Sequence, residues 1–134
     1  MKDLLLNGSN LSLDALAEVA RQGRSVQLDE GALSRMMQSH AWVNQAASGD
    51  LKDAHGEAQA VYGINTGFGS LARLKIPQES LTQLQRNLIR SHAAGVGKPV
   101  PRDVARATVL LRANALAKGA SGCRPALVER LIAL

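Results

Sequence analysis

Tyr62-Gly63-Ile64-Asn65-Thr66-Gly67-Phe68-Gly69 places the chain's single tyrosine and its single phenylalanine in one run with three glycines. Aromatic side chains ordinarily go to the core. Glycines at this density serve backbone that takes positive φ or passes close to another group, so the run reads as a loop shaped to present Tyr62. Tyr62 is therefore a candidate acid–base group. Gly63, Asn65, Gly67 and Gly69 are read as the residues that shape the loop. The competing reading is a buried turn tyrosine whose hydroxyl is satisfied by backbone. Taken alone, the run favours that second reading, and the segments around it have to decide.

Outward from the loop, the pattern is helical. Pro77 suits a helix first turn, and Leu81, Leu84 and Leu88 recur at intervals of three and four until Gly95 and Gly97. Pro99 and Pro101 make a turn. Residues 102–118 then carry Val104, Thr108, Leu111 and Ala115 on one stripe, with Gly119 placed as a C-cap. Pro125 opens a last helix through Leu131 and Ile132 that is still apolar at Leu134. Before the loop, residues 4–6 and 25–28 read as short strands. One helix runs from Ser12 or Asn10 as N-cap to Gly23, and a longer one from Asp29 to about Ala47. Residues 49–56 are polar enough for a loop. The expected fold is mainly α, with short β-strands near the N-terminus.

Composition agrees. The 134 residues are 46% hydrophobic and 2% aromatic, so one domain with an aliphatic, helix-favouring core is expected. No apolar stretch approaches the roughly 20 residues that span a bilayer, and residues 1–10 are too polar for a signal peptide, so a cytoplasmic protein without membrane contact is expected. Cys123 has no partner for a disulfide or a CxxC site and reads as a small buried hydrophobe.

Charge is uneven: residues 1–67 carry 5 basic and 8 acidic side chains, residues 68–134 carry 11 and 3. Nucleic acid is the obvious anionic partner for the second half. Arg86, Arg90, Arg102, Arg106, Arg112, Arg124 and Arg130 are, however, dispersed over separate helices with no helix-turn-helix, zinc finger or stacking platform. A solvated or subunit-facing surface is the preferred reading. The glycines lack the following Lys-Ser or Lys-Thr of a phosphate loop and miss the Rossmann spacing. His40, His55 and His92 are too far apart in sequence to suggest a metal site.

Three linked blocks carry a resemblance. They are residues 61–69, then Leu84-Gln85-Arg86-Asn87-Leu88-Ile89-Arg90-Ser91-His92-Ala93-Ala94-Gly95, then Arg112-Ala113-Asn114-Ala115-Leu116-Ala117-Lys118-Gly119-Ala120-Ser121-Gly122. In that order and spacing, residues 62–134 closely resemble the N-terminal region of the aromatic amino acid ammonia-lyases, and within them the histidine ammonia-lyases. Before residue 61 only the general plan agrees. The resemblance makes residues 1–134 a single portion of the N-terminal domain, truncated at its C-terminal end.

The resemblance implies a lyase that converts L-histidine to trans-urocanate and ammonia without PLP or metal. Its electrophile is a methylidene-imidazolone ring formed from an internal Ala-Ser-Gly. Tyr62 maps onto the family's base. A phenol ordinarily titrates near pH 10, so such a site has to supply positive potential. His92, following Ser91, maps onto the histidine that helps hold the substrate's imidazole, where an imidazole partner can trade a hydrogen bond through complementary tautomers. From spacing alone, His92 reads as a helix C-terminal histidine. Arg112 and Asn114 read as structural polar anchors. Ala47-Ser48-Gly49 and Ala120-Ser121-Gly122 both match the tripeptide. The first precedes the tyrosine loop where the family's follows it, and the second lies in a block whose serine the family leaves unconverted. The electrophile is accordingly expected beyond Leu134, and the isolated chain is expected to be inactive. The family's homotetramers, with active sites shared between subunits, make the rest of the enzyme and its other subunits the implied partners. A non-catalytic remnant or assembly module of the same family is the alternative, and a small basic nucleic-acid binder a weaker one.

Overall fold

In the computed structural model, which describes residues 2–133, the elements follow in the order β1 (Leu4–Leu6), α1 (Leu13–Gln22), β2 (Val26–Leu28), α2 (Glu30–Ser48), α3 (Gln78–His92), α4 (Arg102–Leu116) and α5 (Pro125–Ile132). The protein is mainly helical. Local chemistry sets the boundaries. Ser12 rather than Asn10 caps α1, its Oγ accepting from the Ala15 N–H at 3.2 Å, and Gly23 closes the helix at φ 73°. Asp29 opens α2 by accepting from the Ala32 N–H at 3.0 Å. Pro77 and Pro101 stand just before α3 and α4, and Pro125 is the first residue of α5.

The chain divides into two compact units, Met1–Ala41 with Pro99–Leu134, and Trp42–Lys98. In the first, β1 and β2 pair in parallel with Leu4 opposite Val26 and Leu6 opposite Leu28. Parallel strands require a crossover, and α1 supplies it. Helix α1 packs on α4, α4 on α5, and α5 on β2. The core is aliphatic, as the composition demands: Leu6, Ala32, Met36, Leu110, Ala113, Ala117 and Val128 form one buried cluster. Gly119 follows α4 at φ 81°, and a Cβ there would sit 2.7 Å from that of Arg35, so both conformation and crowding require glycine.

Two expectations for this unit change. The stripe Val104, Thr108, Leu111 and Ala115 faces outward, Val104 and Leu111 being about half exposed, while Leu110, Ala113 and Ala117 face the core. Each side of α4 carries an apolar run broken by an arginine, Arg106 before Leu110 and Arg112 beside Leu111, so periodicity could not choose between them. The alanines win because they let neighbouring elements approach closely. Cys123 is half-buried rather than fully buried, and burial still pushes its thiol above the ordinary range.

The second unit contains the end of α2, the loop 49–77 and α3. Asp53 folds the segment after α2 into a tight turn, its Oδ1 accepting from the N–H groups of His55 at 2.9 Å and Glu57 at 3.0 Å. Helix α3 turns Leu81, Leu84 and Leu88 partly inward, as their spacing predicts, and ends at His92 before the glycines. The buried residues of this unit are Ala46, Asn65, Thr66 and Gly67. Two of the four are polar, and three belong to the glycine loop.

Candidate functional site

Asn65 organises the glycine loop. Its Oδ1 accepts from the Val61 N–H at 2.7 Å, and its Nδ2 donates to the carbonyls of Gln59 at 2.9 Å and Ala46 at 3.0 Å. A buried side-chain amide thus satisfies three backbone groups and ties the loop to the last turns of α2. Its own carbonyl accepts from the Ile76 N–H at 3.0 Å, and Gly67 N–H donates to Leu74 at 3.0 Å, closing a short antiparallel contact around Thr66 and Lys75. Thr66, buried, donates its hydroxyl to the Gly67 carbonyl at 3.0 Å.

The three glycines of the loop do different work. Gly63 and Gly69 take positive φ, 77° and 58°. Gly67 answers a close approach, since a Cβ there would lie 2.6 Å from that of Leu71. The consequence falls on Tyr62. It is 63% exposed, its ring meets Phe68 edge-on at 5.9 Å between centroids, and its hydroxyl has no hydrogen-bond partner among the described residues. The reading of Tyr62 as a buried, backbone-satisfied turn tyrosine is set aside by that exposure.

Helix α3 touches the loop through Gln85, whose Nε2 donates to the Gly63 carbonyl at 3.4 Å. Gln85 is not among the residues that the motifs single out. Its signal was the spacing: seven residues before His92 puts both on one face of α3, two turns or about 10 Å apart along the axis. His92 is exposed at the end of α3, with Nδ1 2.9 Å from the Leu88 carbonyl and 3.0 Å from Ser91 Oγ. No hydrogen bond joins Tyr62 and His92 among the described residues.

Neither Ala-Ser-Gly fits the ring-forming role. Cyclisation presses the glycine nitrogen onto the alanine carbonyl, but Ala47 and Ser48 are helical and Gly49 N–H donates to Ala46 at 3.3 Å. Ser48 Oγ contacts Asp50 Oδ2 at 2.5 Å and Gln45 O at 3.1 Å. In the second tripeptide the Gly122 N–H is spent on Ser39 Oγ at 3.0 Å. The anchors expected on α4 also find nothing to hold: Arg112 is exposed without an ion pair, and Asn114 Oδ1 is buried without a partner among the described residues. No cluster of three or more His, Cys, Asp or Glu side chains able to hold a metal occurs among those residues, and no helix there is long and apolar enough to cross a membrane. The arginines of the basic half named above lie on α3, α4 and α5 and in the turn before α5.

A cavity of about 430 Å³ lies in the first unit between Val19, Val26, Arg106, Leu110 and Leu131. It is lined by none of the residues singled out for chemistry. A smaller one, about 220 Å³, lies beside Ser48, Asn65 and Lys75.

Comparison with known proteins finds the sequence pattern of the family described as aromatic amino acid lyase over residues 11–134. The chain is 48% identical, over all 134 residues, to a histidine ammonia-lyase of Anaeromyxobacter dehalogenans, of which it covers 25%. Among solved structures it is similar to a tyrosine aminomutase from Streptomyces globisporus, with TM-score 0.84 and 31% identity over 98% of this chain and 24% of that one. It is likewise similar to the histidine ammonia-lyase from Trypanosoma cruzi, with TM-score 0.80 and 34% identity over 98% and 23%. The chain thus spans about a quarter of the length of the curated relatives it matches.

Proposed function

The chain belongs to the aromatic amino acid lyase family, and from that premise we propose that it supplies two groups to a histidine ammonia-lyase site. Tyr62 is the base that removes the substrate's β-proton, and His92 is the contact for the substrate's ring. The observation that carries this reading is the loop itself, in which a buried amide and three specialised glycines hold a phenol out in the open. Burial would have been the cheaper fate for that ring.

The chemistry explains the need. A β-proton is weakly acidic, so its removal requires a base held in place and an electrophile that makes the amine a leaving group. The methylidene-imidazolone of the family is such an electrophile. Because neither Ala-Ser-Gly of this chain has the geometry to form it, the contribution proposed for these residues is the base and the ring contact. The same reading carries L-histidine as substrate, trans-urocanate and ammonia as products, and a cytoplasmic homotetramer as the working form. The support is the identity to histidine ammonia-lyases over this quarter of their length.

The test is an assembled lyase in which this chain replaces the matching quarter of the Anaeromyxobacter relative. It is expected to form urocanate from L-histidine. A chimera that folds and assembles like its parent yet forms none, while the parent does, overturns the proposal.

A further inference from the structure

We propose that Ser91 and the Leu88 carbonyl together hold neutral His92 in the tautomer protonated on Nδ1, so that the ring offers Nε2 as a hydrogen-bond acceptor to a substrate ring that carries a donor. The substrate clause rests on the reading of His92 given above. The tautomer does not.

A carbonyl oxygen can only accept a hydrogen bond. Nδ1 of His92 lies 2.9 Å from the Leu88 oxygen, which has lone pairs and no proton to give. At that separation a neutral ring gains a hydrogen bond only if Nδ1 carries the proton; the other tautomer would set two lone pairs against each other. Ser91 removes the remaining freedom. Its Oγ donates to the same carbonyl at 2.8 Å, so the lone pairs of Oγ are left for Nδ1–H at 3.0 Å. Two acceptors therefore converge on one ring nitrogen. Nε2, without a partner among the described residues, keeps its lone pair facing outward.

This orientation divides the possible substrates by chemistry. The imidazole N–H of histidine and the hydroxyl of a tyrosine can donate to Nε2, whereas a phenyl ring cannot. A site that holds out an acceptor penalises a ring that leaves it unpaired. Ser91 is on this account a positioning residue that acts through His92.

The other two histidines provide internal references. His40 Nδ1 lies 2.9 Å from the Gly122 carbonyl and should share the Nδ1–H form. The ring of His55 has no hydrogen-bond partner among the described residues and reports the free preference. The measurement is a long-range proton–nitrogen correlation spectrum of the nitrogen-15-labelled 134-residue chain at about pH 9, well above the ordinary imidazole range near 6.5. The Nδ1–H form of His92 is expected to be enriched roughly threefold to tenfold over that of His55, the range a net hydrogen bond provides. Ser91→Ala should move His92 back toward the His55 ratio, and Ser91→Thr should retain the enrichment. A His92 ratio equal to that of His55 overturns the lock, and a ratio that Ser91→Ala leaves unchanged overturns the role of Ser91.

The second arm uses the assembled lyase. Ser91→Ala should raise KM for L-histidine, by less than the change in tautomer ratio because affinity follows the fraction of the competent form, with kcat unchanged, since the bond to the substrate ring is present before and during reaction. A raised KM without a change of tautomer would mean that Ser91 meets the substrate itself, which overturns the positioning role. The spectrum needs no substrate, so failure of the lock and failure of the lyase reading are separate results.

Discussion

The core of the first unit and the glycine loop of the second are held by opposite means. The core is seven aliphatic side chains from β1, α2, α4 and its cap, and α5, with no polar atom among them beyond the sulfur of Met36. The loop is fixed around Asn65 and Thr66, while its two aromatic rings lie at or near the surface. Apolar packing is non-directional and tolerates a change of shape at modest cost. A buried amide with three partners is directional, and losing it strands the Val61 N–H and the Gln59 carbonyl. The core sets whether the chain folds; the loop sets where one hydroxyl stands.

The sharpest way to break that contrast is at Asn65. Asn65→Ala leaves the Val61 N–H and the Gln59 carbonyl without their partner and is expected to destabilise the second unit by about 3 kcal/mol. Asn65→Asp, with the same shape but no donors toward Gln59 and Ala46, should cost a similar amount. Trp42, the sole tryptophan, lies in that unit, so its fluorescence in urea follows the transition. A change of less than about 0.5 kcal/mol in both variants would show that the backbone alone holds the loop.

In the core, adjacent leucines on α4 provide the next test. Leu110 is buried and Leu111 half exposed. Leu110→Ala should cost roughly 2–4 kcal/mol through the cavity it leaves, and Leu111→Ala less than about 1 kcal/mol. Urea denaturation followed by circular dichroism distinguishes them. Equal losses would mean that the outward face of α4 is covered in solution.

These two residues also show how far the sequence could be read. Helix boundaries were legible because single side chains set them: Ser12, Gly23, Asp29 and Pro77 act within a few residues of themselves, whereas α4 ends at Leu116 with Ala117 as its cap, two residues short of the expected Gly119. The inward face of α4 was not, because Val104 and Leu111 outweigh Ala113 and Ala117 on any hydrophobic scale, and the choice depends on how closely α1 and α5 approach. Among site residues, the run around Tyr62 announced a shaped loop. The partner that fixes it, Ala46, is 19 residues away from Asn65, and no local pattern records that bond. Gln85 shares a helix face with His92 by spacing, but its bond to the Gly63 carbonyl, 22 residues away, leaves no local pattern either. The pairing of Ser91 with His92 was visible, but the carbonyl that both address appears only once α3 is built.

The loop is proposed to present the Tyr62 hydroxyl, and Tyr62→Phe removes that one atom. In the assembled lyase, kcat for L-histidine and the unfolding midpoint should be measured on the same preparation. A base at this position predicts that kcat falls by about 10²- to 10⁴-fold, the usual worth of a positioned base, while the midpoint stays where it was, because no described residue hydrogen-bonds to that hydroxyl. A Tyr62→Phe lyase that forms urocanate at the parent rate would contradict it.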